Sequence, residues 1–260
     1  MVAAVAGRQG RRVEDCETGQ RQYNWAGFKK NELKPHRQQQ WVIPPDQNGT
    51  FVATMEDVLA VYQRPRHADY PLVCLDEVSK QLRAETRTPI PMQPGRAART
   101  DYEYQRNGVN NRFMTFAPLE GWRQVTVTKR RTAIDYARVL KDIADQQFPT
   151  AKKILLVQDN LNTHKPGSLY EAFSPHEARR LVERLEWHYT PKHGSWLNMA
   201  ESELAVLSNQ CLDRRMPNQN ILAAEVAAWQ KHRNLKHAVA NWHFTTDDAR
   251  IKLKRLYPTF

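Results

Sequence analysis

Cysteine is scarce in this 260-residue chain: Cys16, Cys74 and Cys211 lie far apart and form no CxxC pair. That excludes a disulfide framework and a zinc knuckle. Cys74 and Cys211 sit among apolar neighbours and read as small core residues. No apolar run approaches the roughly 18 residues of a membrane span. With ten Gly and fifteen Pro the chain is neither collagen-like nor of low complexity, and 40% hydrophobic residues argue against wholesale disorder. The apolar piece Met1 to Ala6 precedes its arginines, the wrong order for a secretory signal. A cytoplasmic protein with no membrane partner is expected. Acid is in deficit: 28 Asp and Glu face 39 Lys and Arg, a net charge of +11. Such an excess favours a polyanionic partner, usually nucleic acid, through counterion release.

Along the chain, residues 1–25 show no period and are expected to be a loose tail. Residues 26–45 are basic and Gln-rich, closed by Pro44-Pro45. Phe51, Met55, Val58, Leu59 and Tyr62 predict a helix over 50–63. Pro71 to Leu75 is a continuous apolar run, predicting a buried strand that ends at Asp76-Glu77. Residues 79–101, rich in Arg and Pro, predict an inserted loop or ribbon. Strands are predicted over 109–118 and 122–128, joined by a turn at Glu120-Gly121, and a helix over 132–148 with Ile134 on its inner face. Ile154 to Val157 is a second fully apolar strand, ending at Gln158-Asp159-Asn160. Ser174 and Pro175 open a helix to Leu185, and 185–190 reads as a strand. Ser195 is expected to cap a helix over 196–212, and a last helix runs from 221 to 233. This order predicts an α/β fold, a mixed sheet with helices on its faces.

Two buried strands thus each end in an aspartate. In open α/β sheets the functional crevice lies at the carboxyl ends of strands. If the two strands are parallel neighbours, Asp76 and Asp159 face each other. Close carboxylates repel and take up a proton unless a cation bridges them. Hard divalent ions want such oxygen ligands. A Mg²⁺ or Mn²⁺ site for phosphodiester chemistry follows, on a basic protein. The plainer reading is an Asx turn at Asp159 and a loop cap at Asp76. A third carboxylate would come from the helix after Trp196. Its stripe of Leu197, Ala200, Leu204, Leu207 and Cys211 is flanked by Glu201 on one side and Glu203 on the other. Periodicity does not choose between them, and either reads equally as a solvated flank. Trp196 and Trp229 read as core anchors.

The segments Cys74-Leu75-Asp76-Glu77, Gln158-Asp159-Asn160-Leu161-Asn162-Thr163-His164 and Tyr189-Thr190-Pro191-Lys192-His193-Gly194-Ser195-Trp196-Leu197-Asn198-Met199-Ala200-Glu201 resemble bacterial insertion-sequence transposases. The family is the one numbered six-thirty, within the Tc/mariner superfamily. The resemblance covers roughly residues 28–258 and implies an RNase H-like catalytic domain over 71–258. Its triad of carboxylates falls on Asp76, Asp159 and Glu201. The family's Asn-x-x-Glu element matches Asn198 and Glu201 and so selects Glu201 over Glu203. The resemblance further implies two Mg²⁺ (or Mn²⁺) ions on that triad, hydrolytic cleavage at the element's ends, and attack of the freed 3′-hydroxyl on target DNA. Transposon ends and target DNA would be the partners, with room for a homodimer, in a bacterial cytoplasm at the nucleoid.

His164, Lys192 and His193 lie close to the triad in these motifs and are candidates for phosphate contact or for orienting a carboxylate. Arg83, Arg87, Arg96 and Arg99 in the inserted stretch are candidates to track a DNA backbone. Members of the family begin with helix-turn-helix modules. Here only Phe28 to Trp41 resembles the exit of that region, so 26–70 reads as its remnant with a linker helix. An N-terminally truncated chain is the expectation. The competing function is therefore a catalytically idle DNA-binding remnant.

Overall fold

Strands that are apolar along their whole length need cover on both faces, and that requirement organises the molecule. The computed structural model describes residues 47–259. The readings for 1–25 and for Phe28 to Trp41 lie outside these residues. Five strands form one sheet in the order β3-β2-β1-β4-β5. β1 (Leu72–Glu85), β2 (Tyr104–Ala117) and β3 (Trp122–Thr128) are antiparallel neighbours. β4 (Ile154–Gln158) and β5 (Leu185–Tyr189) add in parallel on the other side of β1.

Seven helices accompany the sheet among the described residues: α1 (Gly49–Tyr62), α2 (Ala133–Asp142), α3 (Gly167–Ala172), α4 (Pro175–Arg184), α5 (Met199–Gln210), α6 (Gln219–Leu235) and α7 (Thr246–Lys252). Side chains alternate between the faces of a strand, and the core divides accordingly. Leu72 and Cys74 of β1, Leu155 and Val157 of β4, and Met114 and Phe116 of β2 pack with α1, α5 and α6. Val73 and Leu75, Ile154 and Leu156, and Phe113 pack with α2 and α4 on the other face. The result is a mixed sheet between two helical layers, as the element order predicts, and it has the RNase H-like architecture that the resemblance implies. No helix among the described residues is long and apolar enough to cross a membrane.

The structure departs from expectation in four places. β1 does not end at Asp76. It continues to Glu85, because β2 pairs with it from Cys74↔Phe116 to Glu85↔Tyr104, so only residues 86–103 form the insertion, with two isolated bridges. The predicted helix over 132–148 is an α-helix to Asp142 followed by a π-helical turn, Ile143–Gln147, and Ile134 is exposed. Ser195 does not cap α5. A 3₁₀ turn takes Ser195–Leu197, and Asn198 is the cap, its side chain accepting from the Ala200 N–H. Helices α3 and α7, of six and seven residues, are too short to leave a period in the sequence.

Candidate active site

β1 and β4 pair in parallel with Leu75 opposite Gln158. The next residue on each chain is Asp76 and Asp159, on backbones about 4.8 Å apart. β4 stops there while β1 runs on, so the pair stands at the carboxyl edge of the parallel half of the sheet. Asp76 shares a face of β1 with Cys74 and therefore turns toward the α1/α5 layer. Glu77 turns to the other face.

The third acid arrives on α5. The Asn198 Nδ2 donates to the Leu75 carbonyl at 2.9 Å, and its Oδ1 accepts from the Ala200 N–H at 3.1 Å. One buried amide thus caps the helix and ties its first turn to the strand residue before Asp76. α1 holds the same turn from outside, the Tyr62 hydroxyl donating to the Leu197 carbonyl at 2.6 Å. Glu201 lies in that first turn and is exposed.

The electrostatics register the cluster. The Asp76 carboxyl is pushed up to about 7 by its burial, in which the Glu77 N–H bond opposes the rise and the charges of Asp159, Glu201 and Glu77 add to it. The plain reading of Asp76 as a loop cap is therefore insufficient: it sits mid-strand among three other acids. Glu203 is no solvated flank. It is buried and paired with Arg123 at 3.1 Å and Arg233 at 2.5 Å, which removes it from the cluster.

A second group adjoins the first. His164 is buried, its Nδ1 bonded to Asp159 Oδ1 and its Nε2 3.0 Å from Glu77 Oε2. Its ring stacks on Tyr136 with centroids 4.5 Å apart. Burial opposes a charge on this ring, but the bonds to Asp159 and Glu77 outweigh it and raise His164 to about 9. The loop from Asp159 to His164 is closed by Gln158, which accepts from the Tyr136 hydroxyl at 2.6 Å and donates to the His164 carbonyl at 3.0 Å. Glu77, Asp159 and His164 also offer ligand atoms within 4.8 Å of one another. A doubly bonded imidazolium has no lone pair for a metal, so this trio reads as an ion-pair bridge that fixes Asp159. The motif around Asp76 contains Glu77 but assigns it no role. Its signal was alternation: two consecutive acids on one strand must serve opposite faces.

Lys192 and His193 are exposed. They line a cavity of about 310 Å³ with Asn160, Thr190 and the start of α1, which brings them beside the Asp159 loop. His193 takes a left-handed backbone, φ 65°. Arg83, Arg87, Arg96 and Arg99 are exposed as well, but on the extended end of the β1/β2 ribbon and the insertion, with Arg83 roughly 20 Å along β1 from Asp76. Arg87 pairs with Asp101 at 3.2 Å. Trp196 is not a core anchor: it is 44% exposed, leaning on Trp242 and Phe244. Trp229 is buried as expected.

Asp76, Asp159 and Glu201 are oxygen donors of the kind a hard divalent cation takes, and the charges of Asp159 and Glu201 add to the rise that desolvation gives Asp76. Among solved structures, the fold is similar to the Mos1 transposase paired-end complex with left transposon end, at 13% identity over 98% of this chain and 83% of that one, with a TM-score of 0.52. It is similar to the mariner Mos1 paired end complex with Mg, at 14% identity over 99% and 83%, TM-score 0.52. The Mos1 Strand Transfer Complex gives 12% identity over 100% and 82%, TM-score 0.52. These likenesses show the fold alone. A comparison with curated proteins gives no match. A family model described as DDE superfamily endonuclease matches residues 71–223, a span that holds both aspartates, Asn198 and Glu201, and the chain belongs to that family.

Proposed function

We propose that this protein is a DDE-type transposase of the insertion-sequence family numbered six-thirty, with residues 71–258 as its catalytic domain. It would catalyse metal-dependent DNA strand cleavage and strand transfer. The observation that carries the reading is Asp76, a half-buried mid-strand carboxylate whose proton affinity is raised by desolvation and then by the charges of Asp159 and Glu201, in a chain of charge +11. Asp76, Asp159 and Glu201 would hold Mg²⁺ or Mn²⁺, as a pair of ions. Such ions stabilise the charge on the attacking and leaving oxygens of an in-line displacement at phosphorus.

The chain's own residues prepare the site. The His164 imidazolium occupies one oxygen of Asp159 and neutralises Glu77, leaving the other Asp159 oxygen for the ligand set. The Asn198 tie fixes where Glu201 enters. Lys192 and His193 present cationic and hydrogen-bonding groups beside Asp159, suited to backbone phosphates of the transposon end or target.

The test is strand nicking of supercoiled DNA with Mg²⁺ or Mn²⁺. Asp76→Ala and Asp159→Ala should each abolish it with the fold intact by circular dichroism. Nicking that persists in EDTA, or in both variants, removes the assigned centre. DNA binding without any nicking by the intact chain would make it the idle remnant.

A further inference from the structure

β3 is an edge strand, so its outward backbone groups have no neighbouring strand, and α6 supplies partners for them. The Asn234 amide accepts from the Arg123 N–H at 2.9 Å and donates to the Arg123 carbonyl at 2.8 Å. Gln230 Oε1 accepts from the Val125 N–H at 2.8 Å. Side chains of one helix thus cover an edge that would otherwise stand open. The family match stops at residue 223, before either of these residues, yet they finish the sheet that carries Asp76.

The Arg123 side chain turns inward and is fully buried. Its Nη1 donates to the Gly121 and Arg233 carbonyls, each at 3.1 Å, and its Nη2 to the Ala238 carbonyl at 2.6 Å. The Arg233 carbonyl belongs to the last turn of α6, where a helix presents partial negative charge. Arg123 Nε faces Glu203 Oε1 at 3.1 Å. Arg233 reaches the same carboxylate, with Nε at 2.5 Å and Nη2 at 3.1 Å. A buried charge that loses its partner is strongly destabilising, so these three side chains hold one arrangement.

Glu203 belongs to α5, two residues past Glu201. Successive residues turn by about 100° around a helix, so the two acids point to nearly opposite sides. The side held by Arg123 therefore sets the side that Glu201 takes. Asn198 fixes where α5 begins, and Glu203 fixes how it is turned. At a helix radius of about 5–6 Å, a turn of about 20° carries a side-chain tip by about 2 Å. A preorganised site tolerates only about 0.5 Å.

We propose that Arg123 is a positioning residue: through Glu203 it sets the rotation of α5, and with it the reach of Glu201 toward Asp76 and Asp159. It also makes the far end of α6 part of the site's framework. The role in metal binding rests on the catalytic reading above, whereas the hold on α5 does not.

Two measurements on the full chain keep the two apart. The variants are Arg123→Met, Glu203→Gln and the milder Arg233→Met, which leaves the Arg123–Glu203 pair in place should the others fail to fold. Leu181→Ala, a cavity in the opposite core layer, serves as a control that lowers Tm without touching α5. The first measurement is amide hydrogen exchange in EDTA. Peptides of α5 should exchange faster in the three variants than in the control, at a temperature where all are folded. The second is Mn²⁺ affinity from the spin-resonance signal of the free ion. The three variants should bind about ten- to a hundredfold more weakly, the usual cost of losing a partner outside the ligand set, and Leu181→Ala should bind as the wild type does. Exchange in α5 no faster than in the control overturns the hold on the helix. Faster exchange with unchanged Mn²⁺ affinity overturns the positioning of Glu201. Mn²⁺ binding that is absent in the wild type, or that survives Asp76→Ala, removes the catalytic reading and with it the metal-binding role of Arg123, while the exchange result still decides whether the cluster holds α5.

Discussion

Asn198 and Leu75 are joined by one hydrogen bond of 2.9 Å, and through it the helix that carries Glu201 is registered against the strand that carries Asp76. The amide is used at both ends, since its oxygen caps α5. No other asparagine-sized group offers a donor and an acceptor in that arrangement.

Removing both functions in Asn198→Ala should cost about 2 kcal/mol, from a lost cap and an orphaned buried carbonyl. Asn198→Asp keeps the cap acceptor and loses the donor. Both variants should lose most nicking. Denaturant melts and a nicking assay decide the matter, and wild-type nicking by Asn198→Asp would show that the tie does not position Glu201.

Glu201 and Glu203 should part company under the same substitution. Glu201→Gln removes an exposed acid and should change apo stability by no more than about 0.5 kcal/mol, yet abolish nicking and weaken thermal stabilisation by Mn²⁺. Glu203→Gln strands Arg123 and Arg233 and should cost about 3 kcal/mol. If calorimetry ranks the two variants in the opposite order, the roles are reversed.

For Asp76 the pH dependence follows from its raised value of about 7. Between the ordinary aspartate value near 3.9 and 7, the folded state holds a proton that the unfolded state has lost, so stability falls as pH rises through this window. Each tenfold change in proton affinity is worth about 1.4 kcal/mol. In EDTA, Asp76→Asn should therefore match the wild type near pH 4 and exceed it at pH 8. With Mn²⁺ the wild type should recover. An Asp76→Asn advantage that is independent of pH would contradict the cluster.

His164 carries the opposite sign. Its value of about 9 stands above the ordinary 6.5, so its bridge stabilises fully below pH 6.5 and is lost as pH rises through 9. His164→Phe, which keeps a ring against Tyr136, should be less stable than wild type at pH 6. The deficit should shrink by pH 10. Urea midpoints at those pH values test it, and a constant deficit would reduce His164 to packing alone.

Much of this was legible in local sequence. The apolar runs before Asp76 and Asp159 announced strands covered on both faces, and their shared ending placed two acids at one sheet edge. The Asn-x-x-Glu match chose Glu201, whose first-turn position the structure then explained through Asn198. What could not be read depended on partners far along the chain. Glu203 looks like a helix flank until Arg123 and Arg233 are brought to it by β3 and α6. Arg112 looks like one polar residue in a strand, and only the end of α5 folded over it makes it a buried cation. Ser195 is a good cap by type, but it opens a 3₁₀ turn instead, next to Gly194, where an added Cβ would lie 2.5 Å from the Pro191 ring.

The bond between Asn198 and Leu75 spans 123 positions, and this gives the protein an order of assembly. Synthesis proceeds from the N-terminus, so a nascent chain displays Asp76, and later Asp159, well before α5 exists. Until the segment from Asn198 onward has emerged and docked, the two aspartates lack their third companion. On the catalytic reading, a chain stopped before α5 would be a silent one, and competence would appear only once that helix has docked.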